Sequence, residues 1–224
     1  LNPMHEILRF QMGPIPLMKI AGYGNVNVRS AGKKVDPHIW GKVNFFDARA
    51  SFIEVKHLEL QNGSGVVNFN DKLTTFWTNK AYVYGKPIDV HGDCVALGEI
   101  NTYVTSKGHD IKKLVRVIKD SPILFEVDKV LEPFGQADGI ADVYLHIYGT
   151  ATNAEEAVFN EDLFSRGTVT LHNARTLLQD TFLPFTGING VVNFDKYDSD
   201  YDVTGFVRNS KVHVVGTGSN SIID

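Results

Sequence analysis

The chain of 224 residues carries 22 Lys and Arg against 26 Asp and Glu, a formal net charge of -4, with 43% hydrophobic residues and a single cysteine, Cys94. That length is enough to bury a sizeable core, the acidic balance lacks the basic excess that nucleic acid binding needs, and a lone cysteine excludes an internal disulfide. No stretch approaches the ~20 apolar residues of a membrane-spanning helix, and Leu1 opens no recognisable secretory leader.

From the N-terminus, Ile7-Leu8-Arg9-Phe10 reads as the tail of a helix ahead of a Gly/Pro-containing stretch. Strands follow. Asn25, Asn27 and Arg29 alternate with Val26 and Val28, the period-two pattern of a half-exposed strand. Asn62-Gly63 and Gly85-Lys86-Pro87 are turn signals, and Ile88 and Val90 then alternate with Asp89 and His91. A helix is predicted where Ile111, Leu114, Val115 and Ile118 recur at helical spacing after a capping Asp110. Its Lys112, Lys113, Arg116 and Lys119 form a basic side that is either a solvated face or a contact for anionic headgroups. A second helix is predicted at once, with Ser121 as cap, Pro122 in its first turn, an apolar side of Ile123, Leu124, Val127, Val130 and Leu131, and a stop at Pro133 and Gly135. Strands resume at Asp142–Tyr148, where Val143, Leu145 and Ile147 alternate with Tyr144, His146 and Tyr148. Val169 and Leu171 alternate with Thr168, Thr170 and His172, and Asn189-Gly190 is another turn signal.

Internal similarity organises these elements. Gly41-Lys-Val-Asn-Phe-Phe-Asp-Ala-Arg49 reappears as Gly167-Thr-Val-Thr-Leu-His-Asn-Ala-Arg175, and Gly65-Val-Val-Asn-Phe69 reappears unchanged as Gly190-Val-Val-Asn-Phe194. The offsets are 126 and 125 residues, and Ile88-Asp-Val-His-Gly92 matches Val212-His-Val-Val-Gly216 in the same order. Self-similarity of this kind marks stacked repeat architectures. The expected fold is therefore mainly β: an antiparallel meander of two repeats, residues 1–105 and 135–224, with a helix pair at 106–134 between them. A start without Met and strand-like sequence almost to Asp224 suggest a piece of a longer array whose membrane anchor lies outside it.

Chemistry has no visible carrier. His5, His38, His57, His91, His109, His146, His172 and His213 include no pair at metal-ligand spacing. His91, Asp93 and Cys94 are neighbours, but alternation sends two to one strand face and one to the other; Cys94 reads as a small buried apolar residue. Asp198-Ser-Asp200-Tyr-Asp202 starts like a calcium loop, yet Val203 stands where glycine is needed and Asn209 where a bidentate Glu is needed, so a polar hairpin turn is expected. Gly22-Tyr-Gly24 lacks the third glycine of a dinucleotide fingerprint. Gly63-Ser64-Gly65 is expected in a turn with nothing to activate the hydroxyl, and Asn62-Gly-Ser64 fits a glycosylation sequon that arises often by chance. The chain is expected not to be an enzyme, with no catalytic residue, cofactor or metal. The alternating apolar positions need cover, either from a second packed layer that makes them ordinary core or from an apolar ligand in a trough, and periodicity does not choose.

The Gly-x-Val-x-Phe segments, Gly85-Lys-Pro-Ile-Asp-Val-His-Gly92, Leu114-Val-Arg-Val-Ile-Lys-Asp-Ser-Pro-Ile-Leu124 and Gly139-Ile-Ala-Asp-Val-Tyr-Leu-His-Ile-Tyr-Gly149 together resemble the AsmA-like proteins of diderm bacteria, whose large members include TamB and YhdP. The resemblance implies a periplasmic protein anchored in the inner membrane, with repeated sheets forming a U-shaped apolar groove that carries phospholipid toward the outer membrane. On that reading acyl chains lie along Val26, Val28, Val43, Phe45, Val67, Phe69, Val143, Leu145, Ile147, Val169, Leu171, Val192 and Phe194. The alternatives are a protein-binding scaffold that assists outer-membrane protein assembly by offering a free sheet edge, and a closed β-sandwich with a structural role.

Overall fold

A computed structural model describes residues 18–33, 36–52, 58–95, 98–119, 137–150, 163–177, 183–196 and 198–219. The strands are β1 (Met18–Lys33), β2 (Asp36–Phe52), β3 (Glu59–Phe69), β4 (Leu73–Val83), β5 (Lys86–Val95), β6 (Glu99–Asp110), β7 (Asp138–Thr150), β8 (Leu163–Leu177), β9 (Pro184–Asp195), β10 (Asp198–Val207) and β11 (Ser210–Ser219), with one helix, α1 (Ile111–Lys119), after β6. The strands pair in chain order in one antiparallel sheet that does not close, so β1 and β11 are its edges. The described strands therefore form one sheet, unlike the two packed sheets of a sandwich. The helix predicted from Ser121 and the helix tail at Ile7–Phe10 lie outside the described residues. Two compact units share the chain: Leu1–Val104 with Ile147–Leu163, and Thr105–His146 with Phe164–Asp224.

Turn chemistry explains the meander and corrects four expectations. Tyr84 and Gly85 take φ of 52° and 75° in the two-residue link from β4 to β5, the doubly left-handed geometry whose twist matches that of the flanking strands. Asn62-Gly63, by contrast, is no turn. It lies inside β3, where Asn62 takes φ 50° and pairing with β2 continues on both sides, Leu60↔Ala50 before it and Gly65↔Phe45 after it. An Asn with positive φ serves a bulge as well as a turn, and the continued ladder decides for the bulge. Gly63-Ser64-Gly65 is strand for the same reason. Asn189-Gly190 sits inside β9 at a register shift between β8 and β9, where the Asn189 side chain accepts the Asn173 N–H at 3.0 Å and donates to the Gly187 carbonyl at 2.9 Å. Asp198–Asp202 forms the start of β10 rather than a hairpin turn; the chain reverses just before it, with Lys196 at φ 54°.

Each unit has its own core. In the first, Val43, Ala48, Phe69, Ala81, Val83 and Cys94 are buried, and burial pushes the Cys94 thiol pKa up, with the nearby Asp93 adding to the effect. In the second, Ala141, Ala174, Phe185, Ile188 and Val203 cluster with Ile111, and Leu114 and Val115 pack against them, so α1 lies on the apolar side of the strands. The predicted cap is in place: Asp110 Oδ1 accepts the Lys112 N–H at 2.8 Å.

Candidate functional site

Register decides which side chains share a face, because directly opposite residues of an antiparallel pair point the same way. In the first unit, Val26↔Val43, Val43↔Val67 and Val67↔Phe76 run across β1 to β4, and Phe76 is opposite Gly92 of β5. Alternation adds Val28, Phe45, Phe69 and Val90 to this side. All six groove residues predicted in this part of the chain, Val26, Val28, Val43, Phe45, Val67 and Phe69, therefore lie on one face. Their exposure is graded. Val43 (3%) and Phe69 (6%) are buried, Phe45 and Val67 are half-buried, and Val26 (49%) and Val28 (45%) are open on the edge strand.

The second unit has an apolar face of its own. Val169↔Val192 and Val192↔Tyr201 join β8 to β10, and Val203↔Val214 joins β10 to β11 on the same side. Leu171 and Phe194 belong to this face, and both are half-buried. On β7, Asp142 and His146 reach the other face: His172 Nε2 and Asp142 Oδ2 are 3.0 Å apart, and Arg166 Nε donates to His146 Nδ1 at 3.0 Å. Val143 and Leu145 consequently point to the apolar side, half-buried; Ile147, also half-buried, falls in the first unit.

The recurring Gly-x-Val-x-Phe segment has a physical meaning in this register. On β2 and β3 two such segments run antiparallel, so that Gly41↔Phe69, Val43↔Val67 and Phe45↔Gly65 pair reciprocally. Each glycine faces the other segment's ring. A Cβ on Gly41 would lie 2.7 Å from Phe69 Cζ, and one on Gly65 would lie 2.6 Å from Phe45 Cζ, so each ring lies over the opposite glycine. Phe194 covers Gly167 with a corresponding 2.8 Å, Phe185 covers Gly205 with 2.5 Å, and the Tyr201 ring covers Gly216. The result is a low apolar floor of ring faces and Val methyls. A Cβ on Gly65 would also lie 2.2 Å from the Trp77 carbonyl oxygen, and one on Gly92 2.2 Å from that of Asn101, so neighbouring backbones rise toward this side and the sheet bends locally toward it.

Polar chemistry occupies the opposite face. His38 Nδ1 and Asp71 Oδ2 are 2.6 Å apart while Asp71 Oδ1 accepts the Ile39 N–H, and these bonds hold the Asp71 carboxyl below its ordinary pKa. Burial raises the Asp142 pKa, but hydrogen bonds from Gly108 N–H and His172 outweigh it and the net shift is downward. His213 and Asp202 pair at 2.7 Å, and His91 stacks on Tyr103 with centroids 5.2 Å apart. His146, 5% exposed, is shifted down by burial and then by the Arg166 cation, with Asp195 opposing. Ser106 Oγ lies 2.5 Å from His109 Nε2, a contact between residues 6% and 2% exposed, too deep for a substrate atom to reach the hydroxyl. Among the described residues no group of three or more His, Cys, Asp or Glu could hold a metal ion, and no helix is long and apolar enough to cross a membrane.

Sequence reasoning did not assign eight residues of the apolar face. Phe76 and Val90 in the first unit, and Phe185, Ile188, Tyr201, Val203, Val212 and Val214 in the second, join it through pairing, alternation from a paired residue, or packing in the core. The Ile88/Val90 alternation was the available signal; register supplied the rest. A scan of protein-family models, a search of curated proteins and a search of solved structures each return no match to this chain.

Proposed function

We propose that the apolar face binds the acyl chains of phospholipid, and that the chain is part of an AsmA-like periplasmic bridge that conducts lipid from an inner-membrane anchor toward the outer membrane. One observation carries the reading: within each unit apolar residues from successive strands converge on one face, and most of them stay half-exposed although a soluble sheet would cover such a surface. Passage along such a floor needs no catalytic residue, cofactor or metal. At ~0.8 kcal/mol per methylene, a chain on it resists escape to water yet slides along it.

The duplicated unit belongs to the same proposal, with β1–β5 and β7–β11 as its copies. The support is positional. Gly41↔Phe69 and Val43↔Val67 correspond to Gly167↔Phe194 and Val169↔Val192. Asp47 and Asn173 both take φ 50° ahead of Ala48 and Ala174. A Cβ on Gly22 would meet the Ala48 Cα at 2.7 Å, and one on Gly139 the Ala174 Cα at 2.6 Å.

Native mass spectrometry of the purified chain, with extraction of bound lipid, tests the function. Co-purified phospholipid that is lost on placing Asp at Val28 and Leu145 is the expected result. An empty chain that instead captures extended peptides at the β1 or β11 edge would overturn it in favour of a scaffold for outer-membrane protein assembly.

A further inference from the structure

We propose that α1 is the end stop of the acyl-chain site in the second unit and sets the chain length that the site accepts. This rests on the lipid-binding reading above. The helix lies at one end of the apolar face: its Ile111 belongs to one core cluster with Ala141 near the start of β7, Ala174 near the end of β8, Phe185 and Ile188 on the first half of β9, and Val203 on β10, and Leu114 and Val115 pack against that cluster. Beyond it the same face continues through Leu171, Val169, Val192 and Phe194, all half-exposed. From Ile188 to Phe194 the floor runs six residues of β9, about 20 Å.

The two ends differ chemically. At the far end Ser199 sits opposite Phe194 on the apolar face and donates to the Gly218 carbonyl, while Lys196 of the adjoining turn sets its ammonium over the Phe164 ring, 4.1 Å from its centre. The helix end is apolar, so a chain entering headgroup-last ends with its terminal methyl against α1. Two features fix the position of this barrier: the helix starts directly from the last residue of β6, and Asp110 caps it. Ile111 is 7% exposed and belongs to the core, whereas Leu114 and Val115 are only partly buried, so these two side chains meet the methyl.

The test offers the intact chain an equimolar mixture of phosphatidylethanolamines with short, medium and long saturated acyl chains and reads the bound distribution by native mass spectrometry. Leu114→Ala with Val115→Ala should shift binding to longer chains, by about fourfold in relative affinity per methylene newly accommodated. Leu114→Phe should shift it to shorter ones. Circular dichroism checks folding, and if the double variant unfolds the Phe variant still decides. Lipid bound by the wild type with a distribution unmoved in the folded variants overturns the end stop alone; no lipid on the wild type overturns the functional reading and the end stop with it.

Discussion

Replacing Gly65 by Ala tests the reciprocal glycine–ring packing directly. The added methyl would start 2.2 Å from the Trp77 carbonyl oxygen and 2.6 Å from Phe45 Cζ, where real Cβ contacts are essentially never under 3.0 Å. The ring can rotate away, but the carbonyl belongs to β4, so the two strands must part by about 0.8 Å at that point, as overpacked cores are forced to do. Overpacking of this kind costs about 1–3 kcal/mol, and displacing Phe45 from its seat brings the expected loss to the upper end of that range, about 3 kcal/mol. Gly85→Ala is the control: φ is +75° and nothing lies within 4 Å of the new methyl, so only left-handed strain of about 1–2 kcal/mol remains. Urea unfolding followed by tryptophan fluorescence reports the right unit, because both tryptophans, Trp40 and Trp77, lie in it. Adding Phe45→Leu should recover only part of the loss, since the backbone oxygen stays. Gly65→Ala no more destabilising than Gly85→Ala would refute the packing.

Phe69→Ala uncovers Gly41 and removes a ring that is 6% exposed, so a loss of about 3–5 kcal/mol is expected from the same urea titration. Val28→Asp, at a position 45% exposed on the edge strand, should change stability by no more than about 0.5 kcal/mol while lowering the amount of phospholipid extracted from the purified chain. Asp110→Ala removes the cap of α1 and should cost about 1 kcal/mol, measured as a lower urea midpoint in the second unit. The His146 pKa is depressed below 6.5 in the fold, so the folded state favours the neutral ring. Its contribution is present above the unfolded value and is lost as pH falls through and below it. The urea midpoint should therefore drop between about pH 7 and about pH 5, and His146→Gln should flatten that step. The depressed Asp71 and Asp142 act in the same sense at lower pH, their stabilisation being present above 3.8 and lost as pH falls through their folded values.

Local pattern carried much of this architecture. Alternation at Val26 and Val28, Val169 and Leu171, and Val143 and Leu145 marked strands and the side each residue faces, because a pleated strand has a strict period of two. The helical spacing of Ile111, Leu114 and Val115 after Asp110 marked α1 with its cap. Asn62-Gly63 and Asn189-Gly190 were misread because positive φ and small side chains are shared by turns and bulges; only the ladder on either side distinguishes them.

Within the sequence itself, then, lay the mainly β class, the two Gly-Val-Val-Asn-Phe segments and the membership of each residue proposed for the groove in an apolar stripe. Tertiary structure decided which stripes share a face, since register is a relation between strands that no single strand encodes. It also revealed why glycine recurs: pairing brings Phe69 over Gly41 and Phe194 over Gly167, a contact between residues 28 and 27 positions apart that local propensity cannot express. The placement of α1 on the apolar side of the second unit is of the same kind. An amphipathic helix must bury its stripe, and the fold chose the floor between β7 and β10 as the surface that receives it.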